Sequence, residues 1–232
     1  MRWLAKAALQ KALTLCPGSE RLNYFLQRHV SKNYPRSEKD FLHWIDIAAQ
    51  HFHVFVEHGS ANNLSDVTFY EFGAGWDLLI LLAYHAFGVN RQIVVDINPL
   101  IHLELVSDTL RRFSACKGKL EASLNRTLRD LGGPPLRSVA ELRKRFGIIY
   151  HAPLDARSTG LQPSYVDFIS STATLEHIPP SDIYHILVEC SGILKPGGIM
   201  SHRVDMVDHL HILIPIFPIT TSSNFPTRRG AC

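Results

Sequence analysis

The stretch Val67-Thr-Phe-Tyr-Glu71-Phe-Gly73-Ala-Gly75-Trp-Asp-Leu-Leu-Ile80 decides how the rest of the chain is read. β-Branched and aromatic residues run up to Glu71 as in a buried strand. Gly73 and Gly75 then permit a tight turn with close backbone approach. From Trp76 onward the apolar residues crowd onto a helix that has to be largely buried. Such a turn aims free backbone N–H groups at whatever lies beyond the strand's carboxyl end, which in an open α/β sheet is the ligand crevice. The expected cargo is a nucleotide-like cofactor, although a purely structural strand-to-helix turn uses the same glycine pair.

Outward from the turn, Gln92-Ile-Val-Val-Asp96 is a short apolar strand ending in a carboxylate. It lies roughly 20 residues beyond the glycines, where an acid accepts hydrogen bonds from both ribose hydroxyls of a nucleotide. A dinucleotide fingerprint requires a third glycine where Leu78 stands. Glu71 before the turn suits a ligand carrying an ammonium and a sulfonium better than one carrying two phosphates.

Glu71-Phe-Gly73-Ala-Gly75 followed by Asp96 resembles the first two motifs of the class I S-adenosylmethionine-dependent methyltransferases. Three further stretches continue the resemblance in order. Asp155-Ala156 follows a third strand, Gly147-Ile-Ile-Tyr-His151. The fourth strand, Tyr165-Val-Asp-Phe-Ile-Ser170, leads through Ser171 and Thr172 to Leu175-Glu-His177-Ile-Pro179. Leu194-Lys-Pro-Gly-Gly198 precedes a fifth strand, Ile199-Met-Ser-His-Arg-Val204. The resemblance spans about residues 67–205. It implies an S-adenosylmethionine cofactor touched by Glu71, Gly73, Gly75, Asp96, Ile97, Asp155, Ala156, Ser171 and Thr172. In that reading Asp155 meets the adenine amino group, Ser171 and Thr172 lie against the methionine portion, and His177 faces the methyl-transfer site as the candidate base. Asp155 also reads as a turn aspartate, and Glu176 and His177 as residues shaping the bend ahead of Pro179.

The implied fold is a Rossmann-like α/β domain: an open, mostly parallel twisted sheet with helices on both faces. Residues 1–64 form an N-terminal helical extension or cap, 65–211 the methyltransferase-like domain with a helical insertion at 116–145, and 212–232 an irregular tail. Within the cap, Ser37 with Asp40 in the first turn opens a helix carrying Phe41, Leu42, Ile45 and Ala48 toward Phe52. His43, His51, His53 and His58 show no metal spacing and read as core or solvated histidines. Asn98-Pro99 is expected to open the helix that covers the sheet through Leu100, Leu103, Val106, Leu110 and Phe113. Leu120, Leu124, Leu128 and Leu131 suggest a short helix stopped by Gly132-Gly-Pro-Pro135. Ser138-x-x-Glu141 is a capping box, and Ser181 is expected to cap a helix facing inward through Ile183, Ile186, Leu187, Cys190 and Leu194.

Past the fifth strand, His202, Asp205, Asp208, His209 and His211 tempt as a metal cluster, but on an extended segment His202 and Asp208 share a face while Asp205 points away, and a substrate-facing loop is the favoured reading. No metal is expected, and His202 and Asp205 read as acceptor contacts of lower rank. A complete fold of this class adds a helix and an antiparallel strand pair after strand five. Here the proline-interrupted run Ile212-Leu-Ile-Pro-Ile-Phe-Pro218 and a Thr-, Ser-, Pro- and Arg-rich tail leave those strands incomplete.

The bulk properties narrow the function classes. A chain of 232 residues buries a sizeable core, and a net charge of +3 is too small and scattered to argue for nucleic acid. Cys16, Cys116, Cys190 and Cys232 lie far apart in no metal or redox spacing, so reduced thiols in a cytoplasmic protein are expected. No apolar run reaches the roughly 20 residues of a membrane span. The amphipathic start, Met1-Arg-Trp-Leu-Ala-Lys-Ala-Ala-Leu, suits packing on the domain or a partner, or weak peripheral membrane contact. The resemblance implies methyl transfer onto a small-molecule or metabolite acceptor through an oxygen or nitrogen nucleophile. The alternatives are an NAD(P)-dependent oxidoreductase and a non-catalytic binding module on the same fold.

Overall fold

The computed structural model describes residues 34–60 and 63–206. Five parallel strands form one sheet: β1 (Thr68–Phe72), β2 (Arg91–Val95), β3 (Ile148–His151), β4 (Val166–Thr172) and β5 (Leu194–Arg203), in the order β3-β2-β1-β4-β5. The chain moves outward from β1 to β3, then returns to lay β4 on the other flank of β1. Thr68–Phe72 pairs along its whole length with Arg91–Val95, and Phe69, Tyr70 and Glu71 pair with Phe168, Ile169 and Ser170. The strand order reverses between β1 and β4, the topological switch point, and the crevice there outside the strands' carboxyl ends is where such sheets bind ligands.

Both faces of the sheet are covered, as an all-parallel sheet requires. All five residues of β1 are buried. Phe69 joins a large core with α1 (Glu38–His58), α2 (Leu79–Phe87), α3 (Leu103–Leu124) and α4 (Ala140–Phe146). Tyr70 and Phe72 belong to a smaller core with Ile186, Cys190 and Ile193 of α5 (Pro180–Ile193). This alternation follows from the two-residue period of a strand. In α1, Phe41, Ile45, Ala48, Phe52 and Phe55 recur every three or four residues and form one buried stripe. Phe55 stands edge-on to Phe69 with centroids 4.8 Å apart, and Phe69 meets Phe168 at 4.7 Å. Each such pair adds about 0.5–1.5 kcal/mol beyond the area it buries. Ser37 caps α1 as expected, its hydroxyl accepting the Asp40 N–H at 3.1 Å.

Several boundaries depart from the sequence reading. The helix after the glycine turn begins at Leu79, because Trp76–Asp77 complete the turn and Leu78 adopts a left-handed φ of 52°. Asn98-Pro99 does not open α3, which starts at Leu103. Nor does that helix stop at Cys116: no breaker stands between Phe113 and Leu124, Gly118 costs a helix only about 1 kcal/mol, and the left-handed Asn125 ends it. Leu128 and Leu131 are buried from irregular chain instead of a helix. The expected capping box does not form: Ser138 makes no side-chain cap on α4, and the Glu141 carboxylate accepts the Arg137 N–H, one residue earlier, at 3.1 Å. Proline at the first turn, not Ser181, opens α5, and Leu187 is partly exposed.

The stretch Lys195-Pro-Gly-Gly198 lies within β5 as a bulge. Leu194 pairs with Val166 and Ile199 with Phe168, so the extra residues loop out. Lys195 anchors this bulge on the Asp167 carboxylate at 2.8 and 2.9 Å. Of the described helices, none is long and apolar enough to cross a membrane. The expected amphipathic start, the C-terminal strands and tail, and His209 and His211 of the tempting cluster lie outside the described residues.

Candidate active site

A cleft of about 720 Å³ opens at the carboxyl ends of β1, β2 and β4, within the roughly 300–1,000 Å³ typical of small-molecule and cofactor sites. Nine of the ten residues expected at the site line it: Glu71, Gly73, Gly75, Asp96, Ile97, Asp155, Ala156, Thr172 and His177. The tenth, Ser171, is turned to the opposite face of the sheet, as strand alternation dictates. Its hydroxyl lies 2.8 Å from Nδ1 of His202. Neither His202 nor Asp205 lines the cleft, which corrects their reading as acceptor contacts. Burial holds the His202 imidazole below its ordinary pKa.

The two glycines serve different ends. Gly73 has φ 82°, donates its N–H to Val95 O at 2.9 Å, and leaves no room for a side chain, since a Cβ would stand 2.3 Å from Oγ1 of Thr174. Gly75 has φ 64°, and a Cβ there would meet nothing within 4 Å. The first keeps the β1 and β4 ends in contact. The second leaves the cleft open against bare backbone.

Glu71 is 3% exposed, and its Oε2 accepts a hydrogen bond from Ser170 Oγ at 3.1 Å. Desolvation pushes its acid up from 4.5 to about 8, only partly offset by that hydrogen bond. A carboxyl held this way gains strongly from a cation beside it. At the end of β2, Asp96 is likewise buried; its N–H donates to His151 O at 3.1 Å, and its Oδ1 accepts the Asn98 N–H at 3.0 Å. Ile97 beside it is 62% exposed and offers an apolar surface to the cleft.

At the far rim, Arg157 grips both oxygens of Asp155 at 2.6–3.1 Å and reaches Asp182 at 2.8 Å. The guanidinium holds the Asp155 carboxyl below its ordinary range. Any ligand contact to Asp155 therefore shares a carboxylate that is already paired. His177 is exposed in the 3₁₀ turn Leu175–His177 on the cleft rim.

The wall facing β4 comes from residues that sequence reading passed over: Tyr34, Arg36, Trp44, Trp76 and Asp77. Arg36 donates to Asp77 at 2.6 and 3.3 Å and lies 4.3 Å over the Trp44 ring. Trp76 stacks between Tyr34 at 5.6 Å and His102 at 5.5 Å. With their faces already occupied, these rings make a rigid wall, not an open aromatic cage. Trp76-Asp77 stands inside the decisive stretch, where a helix reading hides it in the core; Tyr34-Pro-Arg36 carries no motif. Among the described residues no group of three His, Cys, Asp or Glu side chains converges to hold a metal.

The arrangement can thus hold a cationic, adenosine-like molecule. Carboxylates stand at two places on the cleft, bare backbone lies between them, and an apolar patch sits beside the second.

Residues 130–201 match the family model described as a methyltransferase domain. The matched span holds β3, β4 and β5 with Asp155, His177 and the Gly197-Gly198 bulge, while the glycine turn precedes it. No curated protein matches the sequence. Similar solved structures include a protein from Pyrococcus horikoshii, with 14% identity over 78% of this chain and 64% of that one and a TM-score of 0.44. Geranyl diphosphate C-methyltransferase from Streptomyces coelicolor is 16% identical over 67% and 43%, with a TM-score of 0.40. An S-adenosylmethionine-dependent methyltransferase from Mesorhizobium loti is 16% identical over 68% and 54%, at 0.38. The chain spans 46% of the length of others it matches, about half. The family match lies on three of the five strands whose motifs follow one another in the expected order around one cleft.

Proposed function

We propose that the chain is an S-adenosylmethionine-dependent methyltransferase acting on a small-molecule acceptor through an oxygen or nitrogen nucleophile. The observation that carries this is the convergence of Glu71, the Gly73–Gly75 turn and Asp96 on one cleft. A buried carboxyl at the end of β1 suits a positive charge, a buried carboxylate at the end of β2 suits a pair of ribose hydroxyls, and Ile97 and Ala156 suit an adenine face. Asp155 is assigned to the adenine amino group at the rim and Thr172 to the methionine end. When bound, S-adenosylmethionine supplies an electrophilic methyl group on a sulfonium.

The protein's own task is then mainly to hold and orient, since bringing reactants into near-attack geometry supplies much of the acceleration of such a displacement. His177 is the assigned base for the acceptor's proton, because imidazole is the side chain most often used for such transfers and this one stands at the cleft rim. The wall of Tyr34, Arg36, Trp44 and Trp76 closes the side of the cleft that no strand provides, and helps to keep water from it.

Calorimetric titration with S-adenosylhomocysteine and with NADH tests the reading. Binding of the former alone supports it, and binding of NADH alone overturns it. Leu78, 1% exposed where a dinucleotide site needs glycine, already disfavours the latter. A screen of metabolite pools with labelled cofactor identifies the acceptor. His177→Ala is then expected to lower kcat by about 10²–10⁴-fold while leaving S-adenosylhomocysteine binding intact.

A further inference from the structure

Thr172 has a partner that its strand does not supply. His51, in α1 and 4% exposed, reaches the ends of β4 and β5. Its Nδ1 lies 2.7 Å from Ser201 Oγ and its Nε2 3.3 Å from Thr172 Oγ1. Burial first, then repulsion of a second positive charge by protonated His202 and by Arg203 on β5, pushes its acid down to about 4, so the ring is neutral at neutral pH.

A neutral imidazole has one N–H and one lone pair. With a hydroxyl on each nitrogen, both hydrogen bonds therefore run the same way along the chain from Ser201 through His51 to Thr172. If Ser201 donates, the ring donates to Thr172, and the Thr172 hydrogen is left for the cleft. If Ser201 accepts, Thr172 donates to the ring, and its lone pairs are left for the cleft. The choice is set on α1, outside the sheet. Glu71 decides which orientation is useful. It stands opposite Ser170, two residues before Thr172 on the same face of β4. A ligand group that sits well beside a buried carboxyl there is a donor, so Thr172 must present an acceptor.

We propose that His51 is a positioning residue: as the Nδ1–H tautomer it donates to Ser201, accepts from Thr172, and turns the Thr172 lone pairs into the cleft to receive an ammonium group. This rests on the reading of the cleft as an S-adenosylmethionine site, whose amino-acid end carries that ammonium. The cap helix then acts on cofactor binding without touching the cofactor.

The wild-type protein is first titrated with S-adenosylhomocysteine; absence of binding removes the site reading itself. With binding in hand, His51→Phe retains a packed ring but cannot accept from Thr172. It is expected to weaken S-adenosylhomocysteine binding about tenfold, the loss of one hydrogen bond to a charged group. Methylthioadenosine, which lacks the amino-acid end, is expected to bind the variant and the wild type equally. Equal weakening for both ligands, or for neither, overturns the proposal. Adding Thr172→Val to His51→Phe is expected to cost S-adenosylhomocysteine nothing more, and an additive loss counts against it. Should His51→Phe fail to fold, ¹⁵N NMR of the wild-type complex decides: a protonated Nδ1 with a bare Nε2 supports the assignment, and a protonated Nε2 overturns it.

Discussion

The two flanks of the cleft floor are built by different means. On the β1–β2 flank the site is made by chain that has only just left its strand: Glu71 is the fourth residue of β1, the glycines follow at once, and Asp96 is the residue after β2. Backbone does most of the holding there, as in Gly73 N–H to Val95 O and Asn98 N–H to Asp96. On the β4–β5 flank the holding is done by side chains far apart in sequence. Thr172 depends on His51, and His51 on Ser201, 150 residues further along the chain. The first flank should fail when its backbone conformation is disturbed, the second when a single polar atom is removed.

Breaking the glycine turn gives the largest contrast. Gly73→Ala combines a left-handed φ with a collision against Thr174 and should destabilise the fold by about 2–5 kcal/mol. Gly75→Ala, which meets no atom, should cost only about 1–2 kcal/mol. Thermal or denaturant unfolding measures both, and equal losses would show that the Gly73–Thr174 contact contributes little.

Next in size is Asp96→Ala, expected to weaken S-adenosylhomocysteine binding by about 1.5–3 kcal/mol in a protein that still folds. Unchanged affinity in titration calorimetry removes Asp96 from the ribose role.

Glu71 sharpens the comparison through pH. Its folded-state acid is raised to about 8 from 4.5, so between these values the folded protein holds a proton that the unfolded chain has lost. Stability should therefore fall as pH rises through that window and level off above it. Ligand affinity should run the other way: a cationic ligand prefers ionised Glu71, so binding should strengthen with pH up to about 8 and release a proton below it. Glu71→Gln should flatten both slopes. Unfolding curves and calorimetry in buffers of different ionisation enthalpy provide the readouts, and unaltered slopes in the variant would assign them to another group.

The smallest effect belongs to Ser171→Ala. Its hydroxyl serves His202, away from the cleft, so about 1 kcal/mol of stability should be lost with cofactor affinity unchanged. An affinity loss comparable to that of Asp96→Ala would mean that Ser171 reaches the ligand after all.

The sequence by itself determined the five strands, the glycine turn between β1 and α2, and the carboxylates at the ends of β1 and β2. These features are written in short stretches, where a strand's period, a glycine's freedom and an acid's place after a strand need no distant partner. It also carried the cap helix, since Ser37, Asp40 and the apolar run from Phe41 toward Phe52 are local signals of the same kind. Tertiary structure alone decided where α3 ends, that Lys195-Pro-Gly-Gly198 bulges inside β5, and that Ser171 faces away while Thr172 faces in. It also brought Tyr34, Arg36 and Trp44 to the cleft and set His51 behind Thr172. Packing α1 against α2 and the end of β5 sets those positions, and a side chain's direction there depends on what lies opposite it in space, which no neighbouring residue in the chain encodes.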